Sequence, residues 1–441
     1  MAASVFDSPL FAQLFPTGET GRLFSDSASL RAMLLVEGAL AKAQGQMGLI
    51  PEISAAAIHR ATLEIQIDPG ALAKSTGENG VSVPGLVAAF RAEMNAPEHA
   101  QYVHWGATSQ DIIDTGLMLR LRQALILAET DLRHVVAQLA DHADRHADLP
   151  MPARTYGQHA TPTSWGAAVA AWGAPLADAL DALPALRTGS LWVSLSGAAG
   201  TSAALGPDAP ALRANLAQGV GLHDPQRSWH TDRSPILRIA DWIAQVTAAL
   251  AAMGDSLVAL TATDCGEITL GAAGASSTMP QKQNPVGPSV LRALAHQMTG
   301  LGATLHSAAV HQHQRDGAAW FAEWMVLPQI MLAGAAALQH ARNVTEGMRP
   351  VPTRMSANLT AGLGLTHAEA LSFALVAQMP RHEAQAATKT LCQTALETHQ
   401  HLATLARTQY ADLPPDLFDP QAQLGHAPTD ARAFATRIRA L

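Results

Sequence analysis

Cysteine is almost absent from this chain. Its two residues, Cys265 and Cys392, are too few and too far apart for a disulfide framework, which fits a reducing compartment. Charge is scarce as well: Asp, Glu, Lys and Arg make up 15% of 441 residues, well below the usual share of about a quarter. So little charge implies that much surface is hidden, either in a large core or between subunits. The net charge of −8 argues against the basic stripe of a nucleic-acid binder, while leaving room for a local cationic pocket for a small acid. No phosphate-cradling loop occurs, and no Gly-x-Gly-x-x-Gly follows a strand pattern. The most apolar helix candidate, 236–263, contains Arg238, Asp241, Gln245 and Asp255, so it reads as a buried bundle helix and not as a membrane span. The opening residues, Met-Ala-Ala-Ser-Val-Phe-Asp, lack the basic and apolar regions of a signal peptide. The expected location is the cytoplasm, with neither a membrane nor a nucleic acid as partner.

What the chain has in abundance is helical periodicity. Residues 1–25 are broken by Pro9, Pro16, Gly18 and Gly21, and a helix starts after Ser25 or Ser27, either of which can cap it. From about 111, Ile113, Leu117, Leu121, Leu125, Leu132, Val135 and Leu139 recur at steps of three or four until Pro150. Such a helix of roughly 35 residues spans about 50 Å, several times the mean length, and implies an elongated bundle. Further long helices are predicted after residue 162, at 235–263, at 289–315 and at 319–348, the last interrupted at Pro328. Residues 187–234, rich in Gly, Ser, Ala and Pro, read as an excursion from the bundle. No strand-rich region stands out. The fold class is all-α: an N-terminal helical domain (1–111), a central long-helix bundle (112–350) and a C-terminal helical domain (351–441).

Three polar loops sit at the ends of these helices, at 103–111, 154–162 and 271–288. Singly, each has a bland explanation: Thr108, Ser109 and Asp111 as caps, His159 as a turn histidine, Lys282 as a solvated charge. The third is longer than a helix connection of about 2–8 residues requires. Together the loops offer His104, His159, Ser276 or Ser277, and Lys282, with Thr108, Ser109, Gln158 and Asn284 as donors. Histidine near neutral pKa suits proton transfer, a serine-bearing loop can close over substrate, and helix N-termini with lysine and amides hold carboxylates. No metal ligand set is predicted. His142 and His146 are four apart on a helix and His311 and His313 are close, but both sets lack a nearby Cys or Glu ligand pattern.

The loop Gly274-Ala275-Ser276-Ser277-Thr278-Met279-Pro280-Gln281-Lys282-Gln283-Asn284-Pro285 resembles the signature loop of the fumarase/aspartase superfamily, Gly-Ser-Ser-x-Met-Pro-x-Lys-x-Asn-Pro. It departs in placing Ala275 between the glycine and the serines, and in Gln283, where relatives often carry a basic residue. The stretches Val103-His104-Trp105-Gly106-Ala107-Thr108-Ser109-Gln110-Asp111 and Gln158-His159-Ala160-Thr161-Pro162 are similar to the family's first two motifs, in family order. Together with Ser228-Trp229-His230, they look most like the branch that closes a ring on a tricarboxylate. The runner-up is the adenylosuccinate-cleaving branch, which handles a nucleotide and needs more cations than Arg154 and Lys282 in these loops.

This resemblance implies a homotetramer whose long helices form a central bundle, with each active site drawing its three loops from three subunits. It implies a small-molecule tricarboxylate substrate, no cofactor and chemistry at a carbon next to a carboxylate. Ser276 then stands as the loop acid/base and His159 as its alternative or partner. Lys282 and Asn284 bind the carboxylate that becomes enolate-like. His104, Thr108, Ser109, Gln158, Ser277 and Met279 are implied as further substrate contacts.

Overall fold

Periodic apolar side chains put most of this chain into helices, and glycines let those helices approach closely. The computed structural model describes residues 4–271, 274, 275, 279 and 282–441. The chain divides into two units. One comprises Met1–Asp131, Ala179–Thr247 and Ala293–Gln339, and the other Leu132–Asp178, Ala248–Arg292 and His340–Leu441.

In the first unit, helix Asp26–Gln46 is capped by Ser25, whose Oγ accepts the Ala28 amide at 3.3 Å. That settles which of the two serines opens it. It packs on helix Glu52–Glu64 through Gly38 and Gly45. A Cβ on Gly45 would come within 2.4 Å of the Ala55 Cβ, so a methyl group there would push the pair apart. The opening part of helix Ser109–Arg145 follows, with Ile112, Met118, Leu121 and Leu125 buried. Helices Ser234–Leu260 and Gly317–Gly347 meet at Gly334, where a Cβ would lie 2.4 Å from Ile243. Below them Arg233, fully buried, donates to both Asp114 (2.7 and 3.0 Å) and Glu323 (2.8 and 2.7 Å).

In the second unit, the start of helix Trp165–Ser190 lies against residues 143–147 through Gly166, with no room there for a side chain. The C-terminal helices enclose a separate apolar cluster of Leu371, Leu375, Leu391, Leu402 and Leu413. Among the described residues, three two-stranded antiparallel ladders complete this unit. Pro150–Thr155 pairs with Gln158–Ser164, Ile268–Thr269 with Arg349–Pro350, and Gly274–Ala275 with Gln283–Asn284.

The architecture is all-α, as expected from periodicity, with several local corrections. The stretch 154–162 is not a loop but the tip of a β-hairpin. Its turn residues Tyr156 (φ 52°) and Gly157 (φ 76°) are both left-handed, the geometry that lets a two-residue turn follow the strand twist. Helix Gly317–Gly347 runs through Pro328 without a break. The preceding helix ends at Ala308, short of 315. Within 187–234 a helix forms, Ala209–Val220, and most of the rest of that stretch is extended or turn. Ser234–Leu260 and Gly317–Gly347 are long and apolar enough to cross a bilayer by length and composition alone; 44% and 61% of their most apolar windows are buried within this chain.

Candidate active site

The first motif loop belongs to the first unit and is built around a buried carboxylate. Asp111, in the opening turn of helix Ser109–Arg145, is fully buried. It accepts hydrogen bonds from the Thr108 amide (3.1 Å), Ser194 Oγ (3.1 Å), the Ser196 amide (2.9 Å) and the Gly197 amide (3.0 Å), and its Oδ1 is 2.9 Å from His230 Nε2. It therefore does far more than cap a helix, since it ties the motif loop to the Gly- and Ser-rich excursion. Gly106 (φ 75°) passes so close to Leu205 that a Cβ would come within 2.6 Å of it, so this loop is held by packing as well.

His104 takes the left-handed conformation (φ 62°), uncommon outside glycine. Its Nδ1 lies 2.7 Å from Oε1 of Glu37, which is itself buried. Burial disfavours the imidazolium, but the hydrogen bond and charge of Glu37 outweigh it, and the His104 pKa is raised above 6.5. With Nδ1 committed to Glu37, Nε2 is the nitrogen left to face a ligand. Arg315, which lies outside the three motif loops in sequence, joins this cluster. Its Nε donates to Gln110 Oε1 at 2.8 Å, and its Nη2 reaches the Ala198 carbonyl at 3.1 Å and Thr108 Oγ1 at 3.5 Å. Thr108 and Ser109 are both half-buried. The arrangement presents a cation, a hydroxyl and a helix N-terminus, suited to hold a carboxylate.

The second motif lies on the hairpin of the second unit. Gln158 and His159 are exposed there, opposite Thr155 and Arg154 in the register. Arg154 is not a free substrate cation. It grips the fully buried Glu267 through Nη1 (2.9 Å) and Nη2 (2.6 Å), and also contacts Cys265 Sγ at 3.4 Å. Asn358 donates to the same carboxylate at 2.7 Å. Glu267 immediately precedes strand Ile268–Thr269, which leads toward the signature loop.

The ends of the signature loop are held by the ladder Gly274–Ala275 with Gln283–Asn284. Its base opens on a cleft of about 490 Å³ lined by Thr261, Thr263, Gly266, Ile268, Lys282 and Asn284 among others. Lys282 is exposed and its amide donates to the Met279 carbonyl at 3.0 Å, while Asn284 is half-buried. Met279 is exposed. Ser276 and Ser277 lie outside the described residues. The lining of this cleft includes neither Gln158 nor His159, and His104, Thr108 and Ser109 belong to the other unit.

Three residues of these clusters escaped a reading of the sequence. Glu37 left a trace, an acid on an otherwise apolar helix face between Met33, Leu34 and Leu40. Glu267 and Arg315 left none, because their partners are remote in sequence. Of the histidines weighed as metal ligands, His142 is buried against the Thr345 carbonyl (3.2 Å), and burial is the main cause of its pKa falling to about 4.

A family model for lyases matches residues 16–300, and the chain belongs to that family, within the fumarase/aspartase superfamily. The 3-carboxy-cis,cis-muconate cycloisomerase of Pseudomonas aeruginosa is 38% identical over 440 residues, covering 98% of this chain and 96% of that one. The crystal structure of 3-carboxy-cis,cis-muconate lactonizing enzyme from Pseudomonas putida superposes with a TM-score of 0.92 at 35% identity, covering 98% of this chain and 99% of that chain. That of the β-carboxy-cis,cis-muconate cycloisomerase from Acinetobacter calcoaceticus sp. ADP1 does so with a TM-score of 0.90 at 30% identity, covering 97% and 99%.

Proposed function

We propose that this enzyme closes 3-carboxy-cis,cis-muconate to a carboxymuconolactone, an intramolecular lyase reaction in the breakdown of aromatic compounds such as protocatechuate. The observation that carries this reading is the near full-length likeness to cycloisomerases acting on that substrate, together with the three motif loops. One substrate carboxylate oxygen adds to an alkene carbon. The π pair moves to the neighbouring carbon, where it is held as an enolate-like dianion by the attached carboxylate, and that carbon then takes a proton. The protein must neutralise three carboxylates, stabilise the dianion and deliver one proton, and the reaction itself needs no cofactor.

Lys282 and Asn284 are assigned to the carboxylate that becomes enolate-like, because fixed donors at developing charge are commonly the largest catalytic contribution. Arg315, Thr108, Ser109 and His104 are assigned to a second carboxylate. Gln158, Ser277 and Met279 complete the substrate contacts. Ser276 or His159 delivers the proton.

The motif loops in this reading come from different subunits of a cytoplasmic homotetramer. The half-covered apolar window of Ser234–Leu260 supports such association. The division at residues 111 and 350 goes with it, with 112–350 as the assembling bundle.

Purified protein is expected to remove the diene absorbance of 3-carboxy-cis,cis-muconate without added metal or nucleotide. Turnover of adenylosuccinate with no change in the muconate would reverse the assignment. Ser276→Ala or His159→Asn is expected to lower kcat by roughly a hundredfold or more, and near-normal rates in both would remove these residues from the proton path.

A further inference from the structure

A second cavity, of about 280 Å³, lies in the first unit, and none of its lining residues belongs to the three motif loops. Its walls are largely apolar: Phe24, Met33, Leu117, Trp324 and Leu327. Hydroxyls of Ser29, Thr76 and Ser82 are set among them. Into this space comes Arg120, from the middle of helix Ser109–Arg145.

Arg120 contrasts with three covered arginines of the same unit that hold carboxylates. Arg233 is paired with Asp114 and Glu323, Arg213 with Asp224 and Arg187 with Glu129. Arg120 forms no ion pair among the described residues. Its Nη1 makes a 3.4 Å hydrogen bond to the Leu23 carbonyl, its guanidinium stands 5.6 Å from the Phe24 ring centre, and its Nε is out of water without a partner. Burial alone pushes its pKa down to about 10. A cation partly withdrawn from water with no counter-charge is costly, and its place beside an apolar cavity leaves room for an anion from elsewhere. Asp26, which also lines the cavity, is exposed and unpaired with Arg120. The volume stands near the lower end for small-molecule sites, and aromatic walls favour a flat apolar body.

We infer that this cavity binds a small monocarboxylate with a flat apolar body, its carboxylate paired with Arg120 and its body against Trp324. A charge-assisted pair of this kind is directional, and Arg presents a fork that matches a carboxylate.

The test is titration of the full-length protein with benzoate, followed by calorimetry and tryptophan fluorescence. Saturable binding is expected, weakened at least about tenfold in Arg120→Met, with benzyl alcohol binding far less. Trp324→Phe should remove the fluorescence response while calorimetric binding persists, and Lys282→Ala should leave benzoate affinity unchanged. Arg120→Met should melt no lower than wild type, because it deletes an unpaired charge. If that variant fails to fold, Ser29→Phe, which fills the cavity, must abolish binding instead. Unchanged affinity in Arg120→Met, loss of affinity in Lys282→Ala, or no saturable binding below about 10 mM, a weak limit for a charged pair, would each overturn the inference. So would dissociation of the assembly in Arg120→Met, which would make the missing anion a carboxylate of another copy.

Discussion

Replacing Arg154 with methionine tests how the hairpin is held. The substitution keeps an unbranched apolar stem and removes the guanidinium that fills both oxygens of Glu267. That carboxylate is fully buried, and once the guanidinium is gone Asn358 is its remaining side-chain donor. Removing one partner of a buried pair costs about 3–5 kcal/mol. The Arg154 side chain retains 22% exposure, so water can partly solvate the vacated site, and the lower figure, about 3 kcal/mol, applies. Urea denaturation followed by circular dichroism measures this. On the role proposed for His159, activity should fall as well, because His159 sits directly across the ladder from Arg154, and a displacement of about 1 Å at a reacting group costs about a hundredfold. Arg154→Lys should recover part of the stability but not the two-pronged grip. A loss below about 1 kcal/mol, with unchanged kcat, would refute the argument that this pair orients the hairpin.

Arg233→Met strands two buried carboxylates, Asp114 and Glu323, and should destabilise the first unit by at least about 3–5 kcal/mol. Limited proteolysis and thermal melting read this directly. His104 has a folded pKa raised above its unfolded value, so its pairing with Glu37 stabilises fully below about pH 6.5 and is lost as pH rises through the folded value. Glu37→Gln should therefore cost about 1.5–3 kcal/mol at pH 6 and distinctly less at pH 9. His142 has the opposite sign. With its pKa lowered to about 4, stability is complete above pH 6.5 and falls as the pH drops toward 4. His142→Gln should flatten this part of the acid denaturation curve, and an unaltered curve would show that other groups set it.

The residues divide by how far their chemistry reaches. Helix Ser109–Arg145 was legible because Ile113, Leu117, Leu121 and Leu125 repeat within one or two turns, a purely local signal. The candidate motif residues were legible for a related reason: each motif is contiguous, so its identity needs no knowledge of packing. The hairpin at 150–164 was harder, since its turn is Tyr-Gly, not the usual Asn-Gly or Asp-Gly, and Pro150, Pro152 and Pro162 obscure the strand pattern.

By itself, then, the order of residues determined the helical class and the positions of the three contiguous motif stretches. Only the tertiary structure decided which charges are spent on holding the protein together. Arg154 looked available for substrate and is taken by Glu267, whereas Arg315 looked remote and reaches Gln110 and Thr108. The physical reason is that periodicity is set by neighbours three or four places away. Ion-pair choice is set by which helices and strands pack side by side, and a partner more than a hundred residues distant leaves no mark in the local pattern.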